Sequence, residues 1–146
     1  MSDEFKDRVI EGLATTISEQ VNAAYAKARK SHEKLVESVY FYDAYMVPVT
    51  EFPMLKVYRR DMDFRAQDLR SSSVAIDFAF VNADIETMPG LLYWVANQTV
   101  KAIDTWKLSN PGKAIIPPNV QANAVTTKYP GDTLVYEMQL ILEMQN

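Results

Sequence analysis

The chain has 146 residues, 48% of them hydrophobic and 23% charged, with a formal net charge of −4, one histidine (His32) and no cysteine. That length suits a single domain, residues 1–146, able to bury a core without a disulfide or a metal. The composition excludes zinc–thiolate sites, thiol catalysis and multi-histidine metal centres, and the acidic balance argues against a protein that coats nucleic acid. The acidic start Met1-Ser2-Asp3-Glu4 is unlike a signal peptide. No apolar run approaches the roughly 18 residues of a membrane span, so the expectation is a soluble protein made in the cytoplasm.

Phe5, Val9, Leu13, Ile17, Val21 and Tyr25 recur every four residues and predict a first helix over residues 3–28. Glu4, Arg8, Glu11, Ser18, Glu19 and Asn22 lie opposite this stripe, while Gln20 falls inside it without an evident partner. The basic run from Lys27 to Lys34 reads as a solvated helix end, where the dipole favours cations. Tyr40, Phe41, Tyr42 and Tyr45, with Val39 and Val47, predict a strand over Ser38 to Val47. A second strand is predicted from Met54 to Arg60, with Leu55, Val57 and Arg59 on one face.

The strand Ser72 to Asn82 is the centre of the pattern. Val74, Ile76, Phe78 and Phe80 give it one bulky face, and Ala75, Asp77, Ala79 and Val81 a thin one. The segment Arg60 to Arg70 before it is longer than a tight hairpin connection requires. It mixes Met62, Phe64 and Leu69 with Arg60, Arg65 and Arg70 and with Asp61, Asp63 and Asp68. It therefore reads as a mobile docking loop with Phe64 as its buried anchor. Single-stranded nucleic-acid binding is disfavoured because the aspartates cancel the arginines. Asp61 and Asp63, a conceivable carboxylate pair, read as arginine-neutralised surface residues.

Thr87 as N-cap and Pro89 in the first turn open a second helix. Leu91, Leu92, Val95, Thr99, Ala102, Ile103 and Trp106 share its buried face, Trp94 stands at the edge, and Asn110-Pro111-Gly112 stops it. A strand from Val120 to Lys128, a turn at Tyr129-Pro130-Gly131-Asp132 and a strand from Thr133 to Met144 complete a C-terminal hairpin. The order is α-β-β-β-α-β-β. The expected class is α+β, an antiparallel sheet with two helices packed on one face. The other face, with Ala75, Asp77, Ala79, Glu137, Gln139 and Glu143, is half polar. It suits a solvated surface or a subunit interface, and Ala75, Asp77, Ala79 and Trp94 are assigned to subunit contacts. No phosphate loop, nucleophile elbow, zinc motif or calcium loop is present.

The element order resembles that of the tail terminator (tail completion) proteins of tailed bacteriophages. The stretches Phe52-Pro53-Met54-Leu55-Lys56-Val57-Tyr58 and Val74-Ala75-Ile76-Asp77-Phe78-Ala79-Phe80-Val81, the long second helix and the C-terminal strand pair carry the likeness. The resemblance implies a small α+β virion protein of the neck, forming a six-membered ring that caps the tail tube and faces the head side. Its partners would be further copies of itself, tail-tube protein and neck or connector proteins. Catalysis, cofactor, metal, membrane and sequence-specific nucleic acid are not expected. Lys113 to Pro118 and the aromatic run after Ser38 depart from the pattern, which keeps another head–tail connector or tail-end protein as the alternative. A small α+β enzyme or ligand-binding domain is the rival of another class, and it would need a deep pocket with convergent polar groups.

Overall fold

Asp7 starts the first helix. Its carboxylate accepts the Ile10 amide at 3.2 Å, which satisfies one of the donors a helix start leaves open. The computed structural model describes residues 5–43, 51–81, 87–110, 114–116, 123–129 and 133–145, with side chains for all but 114–116, 123–129 and 133–134. Helix α1 spans Arg8–Arg29 and ends where Lys30 turns left-handed, at φ 52°. It begins later than its apolar stripe suggests, because Asp7 takes the capping role. Phe5, expected in the stripe, is exposed. Helix α2 spans Met88–Ser109 and buries Leu92, Val95, Thr99, Ala102, Ile103 and Trp106. Thr87 precedes it without making a side-chain capping bond. Gln20 finds its partner between the helices, donating to Gln98 at 3.1 Å. Asn22, assigned to the outer face of α1, instead clamps the next segment: it accepts from the Val36 amide and donates to the Val36 carbonyl.

The strands are β1 Ser38–Tyr40, β2 Met54–Arg65, β3 Asp68–Val81, β4 Ala114–Ile116, β5 Asn123–Tyr129 and β6 Thr133–Gln145. They form one sheet in the order β1-β2-β3-β6, with β4 and β5 both on the outer edge of β6. Both helices cover one face. Leu55, Val57, Val74, Ile76, Phe78, Phe80, Met138, Leu140 and Leu142 meet the buried stripes of α1 and α2 there. The α+β class and the one-sided helix layer are as the sequence predicts.

Three details of the sheet differ. It is mixed, because β1 runs parallel to β2. The connection of residues 41–53 is long enough to return the chain in the same direction, whereas an antiparallel pair needs only a short turn. The predicted strand from Ser38 keeps three residues; Phe41 to Asp43 are irregular, and Tyr45 and Val47 lie outside the described residues. Residues 114–116 form an additional short strand. The connection after Val81, residues 111–113 and the turn at 130–132 also lie outside the described residues.

The largest correction concerns Arg60 to Arg70, which is not a loop. β2 continues to Arg65 and β3 begins at Asp68, so the two-residue turn Ala66-Gln67 closes a hairpin, with register shifts between Arg59 and Asp61 and between Asp63 and Phe64. The β3–β6 ladder ends at Ser71–Gln145. The hairpin beyond it is a two-stranded arm reaching about 13 Å past the sheet, at ~3.3 Å per residue. Ala66 and Gln67 have φ of 51° and 73°. Such turns favour Asn-Gly, because a side chain at positive φ costs roughly 1–2 kcal/mol. Ala66→Asn with Gln67→Gly is therefore expected to stabilise the arm by about 1 kcal/mol or more, read as slower amide exchange at the arm tip. Unchanged or faster exchange there would show that the turn is not strained.

A latch ties the arm's base to α1. The Arg59 Nε donates to Asp7 at 2.6 Å, and its Nη1 donates to the Ser72 hydroxyl. Burial pushes the Asp7 carboxyl up, but the Arg59 hydrogen bond, the Ile10 amide and the Arg59 charge outweigh it and hold it below its ordinary value. A carboxylate with a depressed native pKa contributes stability above its unfolded pKa of 3.8 and loses it as pH falls through the native value. Asp7→Asn keeps the cap and removes the charge. It is expected to flatten the acid limb of a stability–pH curve, while Asp7→Ala costs about 1–2 kcal/mol at neutral pH in urea unfolding. An identical acid limb in parent and Asp7→Asn would show that the latch is not electrostatic.

Candidate functional site

The face of the sheet away from the helices is built in rows. Alternate residues of β2, β3 and β6 share it, and the register lines up Met54 with Ala79 and Glu137, Lys56 with Asp77 and Gln139, and Tyr58 with Ala75 and Ile141. The first row is mainly apolar, and Phe52 and Val135 pack with Met54 and Ala79 into a small second cluster. The polar groups of the other rows form a network. The Tyr58 hydroxyl donates to Asp77 Oδ2 at 2.9 Å, and Gln139 Nε2 donates to Asp77 Oδ1 at 2.8 Å. Lys56 Nζ lies 3.8 Å from Asp77 Oδ2 and 3.2 Å from Asp43 Oδ1. Burial, and then the bond to Asp77, push the Tyr58 hydroxyl well above its ordinary pKa.

Met54, Lys56, Asp77, Ala79, Glu137 and Gln139 border a shallow cleft of about 260 Å³. Both Asp77 oxygens are already acceptors, so this carboxylate is not poised as an open base. Among the described residues no three metal-ligating side chains cluster, and no helix is long and apolar enough to cross a membrane. The arrangement is a preorganised, self-bonded surface with an apolar end.

The residues assigned to a docking loop come together on the arm. Met62 and Phe64 are 54% and 57% exposed, Arg65 and Arg70 are exposed, and Leu69 is half-buried opposite Phe64. Arg60 stands at the arm's base, its Nη1 3.5 Å from Gln139 Oε1. Asp61 and Asp63 pair with Ser73 and Ser71 on the open side.

The residues assigned to a subunit interface do not form one patch. Ala75 and Ala79 are themselves buried within the subunit, between larger neighbours on β2 and β6. Met54 is buried as well, so any contact over them would fall on Tyr58, Ile141 and Glu137. Asp77 is held in the network. Trp94 lies on the helix layer, edge-on to Tyr25 at 6.3 Å, on the opposite side of the sheet.

Sequence reading missed Lys56, Tyr58 and Gln139 as a unit. Their alternation was visible, but the register that sets them side by side comes from pairing across strands. Tyr40 and Tyr42 stand edge to face, with Phe41 and Tyr42 exposed beside β1. The chain matches no protein-family model, and no curated protein matches it.

Proposed function

We propose that the chain is a structural subunit of a ring at the neck of a tailed phage, a tail terminator that caps the tail tube and joins it to the head side. The observation that carries this reading is the arm. A two-stranded projection with exposed Met62 and Phe64 among charges suits docking better than it suits a free surface. The self-bonded open face, with no open acid–base pair among the described residues, fits recognition by shape and charge rather than bond chemistry. The resemblance in element order supplies the finer reading: six subunits, tail-tube and connector proteins as partners, and a place in the virion.

Particle-averaged electron microscopy of the purified protein tests it. Rings of fixed subunit number that bind the ends of tail tubes support the proposal. Rings that ignore tail tubes favour a different connector or tail-end protein. Compact monomers at high concentration, with and without tail-tube protein, overturn it.

A further inference from the structure

We propose that Phe5 closes over Phe64 in the free subunit, as a strap that has to swing aside before the arm docks. This rests on the docking reading of the arm and adds a check on docking that is built into the chain. The register decides which way the arm faces. Met62 stands opposite Ser72, and Ser72 opposite Met144. Ser72 is buried and held by Arg59, and Met144 is part of the core. Met62 is therefore on the helix-covered side of the sheet. Phe64 follows two residues later with no extra β2 residue between, so it shares that side. The register shift between Asp63 and Phe64 leaves Arg70 as the extra residue on β3, which brings Leu69 to the same side opposite Phe64. The arm thus carries the covered side of the sheet past the start of α1, with Met62 and Phe64 exposed on it.

Helix α1 delivers Phe5 to the same place. Near its start Asp7 holds Arg59, and further along Asn22 holds Val36, just before the β1 residues that pair with the first residues of β2. The helix therefore runs opposite to β2, and the chain ahead of Asp7 leaves it in the direction of the arm. Phe5 lies within roughly 7 Å of Asp7, and Phe64 within roughly 7 Å of Met62, at ~3.3–3.6 Å per residue. Phe5 is 76% exposed and stands outside the capped turn. Rotation at Lys6 carries its ring over Phe64 while Asp7 keeps both its cap and its bond to Arg59. An aromatic pair is worth a factor of about two to ten. That populates the closed form and still lets a partner displace it. Only the open fraction is competent to dock, so apparent assembly weakens about threefold or more.

The contact and its effect on assembly are read separately. The full-length chain is first kept dilute, below the concentration at which it assembles. NMR cross-relaxation is measured between its labelled phenylalanine rings, with Phe5→Leu and Phe64→Leu assigning the two among six. A cross-peak between Phe5 and Phe64 is expected, and its absence overturns the proposal. Sedimentation velocity across a dilution series then compares the parent with Phe5→Ala. The variant is expected to assemble about threefold or more tighter than the parent, because nothing covers Phe64. Equal assembly, with the cross-peak present in the parent, overturns the check on docking. Weaker assembly places Phe5 in the docking surface itself and overturns it too. A parent that stays monomeric at every concentration, with and without tail-tube protein, overturns the docking reading together with the check, while the cross-peak still reports whether the strap closes.

Discussion

Phe64→Ala is expected to leave the fold and its melting temperature nearly unchanged while weakening assembly about 30-fold or more. Phe64 is 57% exposed and lies beyond the last β3–β6 pair, so its truncation opens no cavity. Substitutions at such positions usually change stability by no more than about 0.5 kcal/mol. An aromatic anchor buried at the centre of an interface is worth about 2 kcal/mol or more, which is the stated factor in affinity. Thermal melts by circular dichroism read the first part, and sedimentation velocity across a dilution series reads the second. If the variant unfolds, Phe64 belongs to the core and docking by the arm is wrong. If it assembles like the parent, the contact lies elsewhere, on α2 or on the exposed aromatics beside β1.

The fold was legible where a core imposed a period. Val74, Ile76, Phe78 and Phe80 alternate because one face of β3 meets helices, and the stripes of α1 and α2 repeat because each covers that face. The arm was illegible for the converse reason. Beyond Ser71 neither face of the hairpin meets a core, so apolar and charged residues need not alternate, and the turn Ala66-Gln67 lacks the Asn-Gly signal that marks a two-residue connection. A strand can thus read as a loop when nothing buries it. Phe64 and the arginines are exposed as expected, but on a hairpin of paired strands rather than on a loop. The thin face of β3 was read correctly as small and half polar. What escaped was that small residues such as Ala75 and Ala79 are covered by long neighbours, so the working surface belongs to Tyr58, Glu137 and Gln139. Pairing register decides that, and a single strand's sequence does not contain it.

Asp77→Ala is expected to destabilise the protein by about 2–3 kcal/mol, a large change for a small residue on a sheet surface. The Asp77 side chain is only 16% exposed. It accepts from both Tyr58 and Gln139 and faces Lys56, whose side chain is 13% exposed. Truncation leaves a hydroxyl and an amide without their acceptor, and water reaches them only in part. Asp77→Asn retains an acceptor oxygen and removes the charge, so its loss should be smaller, about 1 kcal/mol. Tyrosine ionisation gives an independent reading. With a native pKa above its unfolded value of 10.0, Tyr58 contributes stability that is fully present below that pH and is lost as pH rises through the native pKa. In Asp77→Asn the bond to a carboxylate is gone but burial remains, so Tyr58 should titrate lower than in the parent and still above an ordinary tyrosine. Absorbance titration of the folded protein follows this among its eight tyrosines; Tyr58→Phe in the same background identifies the step that moves. If Asp77→Ala melts with the parent and the titration does not shift, the rows of the open face are not a rigid network. A cleft assembled from them would then form only when a partner arrives.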